Sequence, residues 1–284
     1  MLKKTLLVAI FLFSIVNTAQ NKPAYKLYSK NGKKVSYKRM ISKMSKADMV
    51  LFGELHNNPI IHWLQFETTE DLYKKRKIML GAEMLEADNQ KELEDYLTGT
   101  IDQKTFDTVA RLWSNYTTDY KPLVDFAKQN NLKFIATNIP RKFASLVYRG
   151  GFEALDELSA EEKSWIAPLP IKYDATLPGY IKMKEMMGGH GGDNLPKAQA
   201  IKDATMAHFI LKNKKEEELF IHYNGAYHSD DFEGIYWYLK QQKPELNIIT
   251  VSVVEQENVK KITKNNKHKA DFIIVVPTTM TKTY

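Results

Sequence analysis

Five polar side chains in this sequence have the types and positions to form a chemically active cleft. Each follows an apolar run that is typical of a buried strand: Glu54 and His56 follow the first run, Glu83 the second, Arg141 the third and His228 the fourth. Ligands of open α/β sheets bind beyond the carboxyl ends of the strands, so we expect these residues to meet in one cleft. Carboxylates mixed with imidazoles suit a divalent cation or acid–base work, and arginine suits an anionic group.

Local geometry supports a shared cleft. Glu54 and His56 are two residues apart, so their side chains point the same way from an extended chain. Gly53 and Gly225 each leave room at a strand end for close approach of the backbone.

Each candidate also has a structural interpretation. Glu54 could cap the following helix, and His56 could be a turn histidine with satisfied hydrogen bonds. Glu83 and Arg141 could form an ion pair, and His228 could be an ordinary residue at the start of a helix. Five coincidences at equivalent strand ends are a weaker explanation than one cleft. The remaining histidines that we interpret as structural are His222 inside the fourth strand, His208 on a long helix and His268 in a lysine-rich, solvated stretch.

Strand-like and helix-like segments alternate along the chain, which is typical of an α/β domain. We predict a mostly parallel central sheet with helices on both faces and a small N-terminal β-hairpin that turns at Asn31-Gly32. The predicted strands are 49–52, 78–80, 132–137, 218–223, 248–254 and 272–276. Predicted helices begin at Pro59 and near Pro140 and cover 89–97, 104–113, 122–130, 198–214 and 232–240, whereas 150–196 is expected to be irregular.

The N-terminus has the pattern of a secretory signal peptide. Lys3 and Lys4 precede the uncharged apolar stretch 5–16, and small residues up to Ala19 follow it. The stretch is shorter than the roughly 20 apolar residues that span a bilayer. We therefore expect a signal peptide over 1–19, a single α/β domain over 20–284, and a periplasmic or secreted protein without an integral membrane span in the mature chain.

Composition excludes several classes of site and partner. The chain has no cysteine, which excludes disulfides, thiolate metal sites, a cysteine nucleophile and a lipid anchor on cysteine. Lys and Arg total 41 against 34 Asp and Glu, a formal net charge of +7, but the cations are spread along the sequence among acids. Nucleic-acid-binding proteins present a focused basic face, so we expect no nucleic-acid partner. Attraction of an anionic ligand stays open.

Four ordered motifs resemble the ChaN family. The first, Gly53-Glu54-Leu55-His56-Asn57-Asn58-Pro59 followed by His62 and Gln65, is similar to the family's G-E-x-H-[DN]-[DN]-P segment. Gly225-Ala226-Tyr227-His228 resembles the family's second G-x-x-H motif. Glu83 and Asn138-Ile139-Pro140-Arg141 stand where the family has its acidic and its Asn-Pro-Arg segments. The segment 199–207, which includes Asp203, is also similar to the family. Ile61 departs from a histidine pair that is common in the family, which puts any role of that pair in doubt.

The resemblance implies haem binding and a part in haem or iron uptake or storage, with an outer-membrane uptake system as partner and a homodimer as one arrangement. Haem needs an apolar slot, an axial ligand such as His, Met or Tyr, and cations for its propionates. The predicted haem-contacting residues are Tyr180, Met183, Met186, Met187, His190 and Arg141, with His190 or a nearby tyrosine as the preferred iron ligand. The methionines could instead be adaptable core filler. Trp113, Tyr116 and Tyr120 have helical spacing, which favours a core role.

The resemblance also implies kinship with Tiki, TraB and erythromycin-esterase-like proteins. This kinship raises a second hypothesis, that the protein is an enzyme rather than a haem-binding protein. In a metal-dependent hydrolase of a peptide or ester bond, Arg141 would stabilise an oxyanion, and the divalent metal or its water would be held by Glu54, His56, Glu83 and His228. Whether the protein is an enzyme stays open, and a scaffold with a relic site is a third hypothesis. Changes in the Met-rich segment should abolish haem binding, whereas a change of Glu54 should abolish turnover.

Overall fold

The computed structural model describes residues 22–186 and 192–284. The predicted signal peptide over 1–19 lies outside these ranges, as do Met187 and His190 of the predicted haem segment. Within the described ranges, no helix combines the length and apolar character that crossing a membrane requires.

The described residues form one seven-stranded sheet at the centre of the fold. Its strands are β1 Lys26–Ser29, β2 Met49–Glu54, β3 Ile78–Glu86, β4 Phe134–Asn138, β5 Leu219–Gly225, β6 Ile248–Gln256 and β7 Phe272–Pro277. The spatial order is β1-β7-β6-β2-β5-β3-β4, and the pairs are parallel apart from the antiparallel edge pair β1–β7. The predicted mostly parallel α/β sheet is therefore confirmed.

Helices cover both faces of the sheet, as predicted. They are α1 Tyr37–Met44, α2 Pro59–Tyr73, α3 Gln90–Leu97, α4 Gln103–Val109, α5 Lys121–Gln129, α6 Arg141–Gly150, α7 Ala160–Lys163, α8 Pro178–Met186, α9 Asn194–Asn213 and α10 Ile235–Gln242. A π-helical turn, Tyr116–Tyr120, leads into α5.

Successive side chains of each central strand enter two different cores. In β2, Val50 and Phe52 pack in the core under α1, α2, α3 and α5, whereas Met49 and Leu51 pack in the core under α9 and α10. This alternation follows from the pleat of a strand. A strand covered on both faces is apolar along its whole length, which explains the continuous apolar runs in the sequence.

The N-terminal hairpin is smaller than the sequence pattern predicts. The turn lies at Gly32, which has φ +78°, but within the described residues the second arm makes only one bridge, from Lys34 to Tyr28. The chain then enters α1, which begins after Ser36, whose hydroxyl accepts a hydrogen bond from Arg39 N–H at 3.3 Å. A capped start and one buried face favour a helix over a strand here; the buried residues are Met40, Ile41 and Met44.

Other boundaries also differ from the predictions. The predicted helix 104–113 ends at Val109, and the predicted strand 78–80 continues to Glu86 as β3. The stretch expected to be irregular contains α7 and α8. Pro178 stands at the start of α8, where a missing N–H costs nothing. The prolines and glycines of 150–196 obscured this helix in the sequence.

The outer edge of β4 is closed by one side chain. Gln90 Nε2 donates to Phe134 O at 3.2 Å, and Ala136 N–H donates to Gln90 Oε1 at 2.7 Å. The Gln90 amide therefore satisfies backbone groups that an eighth strand would otherwise pair with.

The strand order brings three strand ends together. β5 lies between β2 and β3, with Glu54 opposite Gly225 and Ala82 opposite Tyr223. The polar residues at the carboxyl ends of these strands therefore emerge side by side. Gly53 is needed at this edge, because a Cβ atom there would lie 2.7 Å from Val251 O and 2.9 Å from Ala226 Cα.

Candidate functional site

A cluster of acids and histidines lies at the carboxyl ends of β2, β3 and β5. Glu54, Glu83 and His228 are buried, whereas the side chain of His56 is 32% exposed. The structure thus brings these residues together, as the sequence predicted.

Glu54 is the acceptor around which the first half of the cluster is built. Its Oε1 atom accepts a hydrogen bond from Tyr120 Oη at 2.7 Å and lies 2.8 Å from His56 Nδ1. Its Oε2 atom accepts from Gln65 Nε2 at 2.6 Å. A buried carboxylate must have such partners to remain inside the protein. Glu54 therefore orients the His56 ring rather than capping α2, a role that the Asn58 side chain performs.

The His56 ring is held on one side and open on the other. Its Nδ1 atom faces Glu54, and its plane stands edge-on to Trp113 with ring centroids 4.9 Å apart. Burial opposes the charged ring, but the hydrogen bond to Glu54 and the charge of Glu83 outweigh it, so the pKa of His56 is raised. The Nε2 atom faces Gly225 at the cleft.

The backbone of His56 is fixed as firmly as its ring. Its carbonyl oxygen accepts a hydrogen bond from Asn115 Nδ2 at 2.9 Å and lies 3.0 Å from His62 Nε2. Asn115 Nδ2 also donates to Asp119 Oδ2 at 2.7 Å. The histidine that follows the first motif therefore supports the cluster through the backbone.

His228 is clamped between two carboxylates. Its Nε2 atom lies 3.1 Å from Glu83 Oε1, and its Nδ1 atom lies 2.5 Å from Asp203 Oδ1. Burial opposes the charged ring, but the two acids outweigh it and raise the pKa of His228 to about 10. Burial also raises the pKa of Asp203, whereas His228 holds the pKa of Glu83 well below its usual range. At neutral pH the ring is an imidazolium.

Gly225 allows the Glu54–His56 pair and the Glu83–His228 pair to come close together. Its N–H donates to Glu83 Oε2 at 2.6 Å. A Cβ atom at this position would lie 2.7 Å from His56 Nε2 and 3.5 Å from Glu83 Oε2. The first glycine of the G-x-x-H motif is therefore required by close packing against His56.

A cleft opens beside the cluster, and another adjoins it. The first has a volume of about 530 Å³ and is lined by Glu54, His56, Gln199, Tyr227, His228 and Tyr284, among others. The second has a volume of about 630 Å³ and is lined by Glu86, Arg111, Trp113, Asn115, Arg141 and Tyr284, among others. Tyr284 stands at the boundary of both.

Arg141 lies in the second cleft rather than among the buried acids. It is the first residue of α6 and is exposed. Arg111, which shares this cleft, is paired with Glu86 at 2.9 Å and with Asp88. Glu83 pairs with His228, so the ion pair between Glu83 and Arg141 that the sequence allowed does not form.

The helix α8 contains three of the predicted haem residues, Tyr180, Met183 and Met186. Tyr180 is buried, Met183 is half-buried, and Met186 is 71% exposed at the end of α8. Tyr227 Oη donates to Gly179 O at 2.7 Å, which attaches the start of α8 to the first cleft. Met187 and His190 lie outside the described residues.

The four predicted metal ligands hydrogen-bond to each other or to neighbouring acids. Glu54 holds His56, and Glu83 holds His228. Across 22–186 and 192–284, no group of three or more His, Asp or Glu side chains is arranged to hold a metal ion.

The last residues of the chain lie across the cluster. Thr283 N–H donates to Asn57 O at 3.0 Å, and its hydroxyl donates to Asp119 Oδ2 at 2.8 Å. These contacts attach the segment to the first motif and hold Tyr284, which is 64% exposed, between the two clefts.

Sequence reasoning missed two members of the cluster. Tyr120 was interpreted as a core residue from its helical spacing, and its ring is indeed buried, but its hydroxyl reaches Glu54. Asp203 was noted only as part of a family-like segment. A buried aspartate within the apolar helix α9 was the available signal, because such a group needs a charged partner.

The site presents one fixed imidazole, His56, to the cleft beside the buried ring of His228. His56 can donate or accept a proton or act as a ligand through Nε2. His228, by contrast, is committed to its two carboxylates.

Comparisons with known proteins identify the family and the fold. The family model described as haem-binding uptake, Tiki superfamily, ChaN matches residues 40–239. The chain is also similar to the solved structure described as cofacial haem binding to ChaN of Campylobacter jejuni, with a TM-score of 0.66 and 19% identity over 89% of this chain and 96% of that chain. At this identity the likeness shows the fold.

Two further similarities are more distant. A Bacillus cereus protein of known structure gives a TM-score of 0.53 and 11% identity, with 89% of this chain and 95% of that chain covered. Protein RETICULATA-RELATED 5, chloroplastic, of Arabidopsis thaliana is 27% identical over 139 residues, which are 46% of this chain and 19% of that protein. The match therefore spans less than a fifth of that relative's length.

Proposed function

This chain belongs to the haem-binding uptake family of the Tiki superfamily, ChaN, and on that premise we propose that it is a haem-binding protein. The family match carries the proposal, because its span of 40–239 includes every residue of the acid–histidine cluster. The similarity to the structure of ChaN of Campylobacter jejuni supports a common fold.

The residues around the clefts fit haem. The macrocycle needs apolar walls, which Trp113 and the exposed rings of Tyr227 and Tyr284 supply. Its propionates need a cation, and Arg141 is exposed in the adjoining cleft. Bound haem supplies an iron whose axial position takes a His, Tyr or Met ligand.

For the iron ligand we propose His190 or a tyrosine of the first cleft. Tyr227 is the nearby tyrosine that contacts α8, through Gly179. Met183 and Met186 of α8 would then contact the macrocycle, with Met187 beyond them in the sequence. Tyr180 is buried, so its proposed part is to hold α8 in place rather than to reach the ligand.

A titration of the purified protein with haem tests this assignment. The Soret band should shift to a saturable end point in the wild type, and His190→Ala should weaken the shift if His190 binds iron. Tyr227→Phe should weaken it instead if the tyrosine is the ligand. Tyr148→Phe is a matched control, since Tyr148 is also exposed but does not line either cleft. If neither variant weakens the Soret shift, neither His190 nor Tyr227 is the iron ligand.

The wider biological role is part of the same proposal. We propose export directed by residues 1–19, maturation after Ala19, and a role in haem or iron uptake with an outer-membrane system as partner. N-terminal sequencing of the protein recovered from the periplasm or the medium tests export, and cytoplasmic protein with an intact N-terminus would contradict it.

A hydrolase is the second candidate, and the pair Glu54–His56 favours it. The carboxylate orients the ring and leaves Nε2 facing the cleft, which is the arrangement a general base requires. Glu54→Gln should abolish turnover of ester or peptide substrates if this candidate is right, and should leave any background hydrolysis unchanged if it is wrong.

A further inference from the structure

A basic groove lies at the edge of the sheet formed by β1, on a different set of residues from the acid–histidine cluster. It has a volume of about 390 Å³ and runs between the N-terminal turn and α1. Its charged lining residues are Lys30, Lys33, Lys34, Arg39, Lys43 and Asp271. All five cations come from the short segment 30–43, whose turn and helix border the groove.

These cations are not neutralised by the protein. Among the described residues, none of the five has a carboxylate oxygen within 4.0 Å. Asp271 is the acid of the groove, and its Oδ2 atom is occupied by Thr250, which donates through N–H at 3.0 Å and through its hydroxyl at 3.2 Å. The groove therefore has five cationic side chains against one carboxylate, which leaves it with a net positive charge.

The backbone fixes both walls of the groove. On one wall, Ser29 N–H donates to Lys33 O at 2.8 Å and Gly32 N–H donates to Ser29 O at 2.8 Å, which closes the turn. On the other wall, Arg39 and Lys43 are four residues apart on α1 and therefore lie on the same side of the helix. The backbone of the turn and of α1 therefore brings both sets of cations to one groove.

Like charges held close together repel one another, and a bound anion would reduce that repulsion. Lys43 has a local explanation, because it lies in the last turn of α1, where exposed carbonyl groups favour a cation. Lys33, Lys34 and Arg39 have no such explanation. An anion between the two sets of cations would supply it.

The groove does not belong to the part of the chain that the family model describes. Most of its cations precede residue 40, and Asp271 follows residue 239. No lining residue of the groove lines either cleft of the proposed haem site.

We propose that this groove binds a small anion that carries two or more linked phosphate groups. Such a ligand has enough charge and length to contact both sets of cations at once, and Arg39 can bind a phosphate through two parallel hydrogen bonds. A membrane surface fits less well, because the site is concave and, among the described residues, the exposed large apolar side chains that membrane insertion uses do not line it.

The test is calorimetric titration with inorganic pyrophosphate at low salt. The wild type should bind with saturation at one site. The double variant Lys33→Gln/Arg39→Gln should bind about a hundredfold more weakly or not at all, since each of the two lost charged contacts contributes on the order of a factor of ten. The matched control is Lys260→Gln/Lys261→Gln, which removes the same charge from exposed positions outside the groove and should bind as the wild type does.

Several outcomes would overturn the proposal. No saturable binding by the wild type would do so, and so would equal weakening in both double variants, which would mean that only net charge matters. Binding to phosphatidylglycerol vesicles without binding of pyrophosphate would assign the groove to a membrane surface instead. Circular dichroism and an unchanged haem titration show that the groove variant is folded, and they separate failure here from failure of the haem proposal.

Discussion

His56 Nδ1 lies 2.8 Å from Glu54 Oε1, and this contact fixes which ring nitrogen faces the cleft. Tyr120 and Gln65 donate hydrogen bonds to the same carboxylate, so the group that orients the His56 ring is itself held in place. A histidine that donates one N–H to a carboxylate presents its other nitrogen in a fixed orientation, which is the usual arrangement for a histidine that binds a metal or transfers a proton.

Tyr120→Phe should destabilise the protein. The substitution removes the hydrogen bond from Tyr120 Oη to the buried carboxylate of Glu54, and a hydrogen bond to a charged group contributes about 1.5–3 kcal/mol. Urea unfolding measures the change in the free energy of unfolding. Tyr148→Phe removes a hydroxyl from an exposed ring and should have little effect. Equal stability of the two variants would mean that the hydroxyl does not support Glu54.

Gly225→Ala should weaken haem binding. The backbone of Gly225, with φ −53°, accepts alanine, but the new Cβ atom would lie 2.7 Å from His56 Nε2, so the ring must move. Gly150→Ala at the end of α6 adds the same methyl group away from both clefts. Soret titrations of the two variants should show weaker binding in the first and unchanged binding in the second. Unchanged affinity in both would place haem away from His56.

The stability of the protein should fall at alkaline pH because of His228. Its pKa in the folded state is raised to about 10, whereas an unfolded histidine titrates near its ordinary value of about 6.5. The stabilisation is therefore complete below the unfolded value and is lost as the pH rises through about 10.

Thermal unfolding from pH 6 to pH 10 measures this effect. Compared with the wild type, His228→Gln should have a lower Tm at pH 6 and a shallower decline toward pH 10. His268→Asn removes an exposed imidazole and should follow the wild type. An alkaline decline of the same slope in His228→Gln and wild type would contradict the account of the buried imidazolium.

Gln90→Ala should destabilise the sheet and promote aggregation. The substitution exposes Phe134 O and Ala136 N–H on the edge of β4, and each unsatisfied backbone group costs about 1–3 kcal/mol unless water reaches it. Open edges also pair with other chains. Gln129→Ala, on the exposed end of α5, is the control. Chemical unfolding and light scattering measure the two effects, and identical behaviour of the variants would show that Gln90 does not protect the edge.

The sequence predicted the sheet and most of the site because both depend on local signals. Continuous apolar runs identified the buried strands, and the polar residues that follow them led to Glu54, His56, Glu83 and His228. The order of the strands depends on packing between distant segments. The position of β5 between β2 and β3, which joins the two motifs, was therefore not predictable from local patterns.

The partners inside the cluster were less predictable for the same reason. Asp203 contacts His228 from α9, 25 residues earlier in the chain, and Tyr120 contacts Glu54 across 66 residues. Nothing near either residue specifies its partner. Arg141 was expected beside the acids, but its position as the first residue of α6 places it in the second cleft, where it is exposed.

Haem titration of the purified wild-type protein decides whether the chain binds haem. The absorbance of the Soret band is followed as haem is added, and the stoichiometry is read from the break in the curve. We expect a shifted band that saturates at a fixed ratio of haem to chain. A band that only grows in proportion to added free haem, with no saturable shift, would contradict haem binding and leave the Glu54–His56 cleft to be tested as a hydrolase.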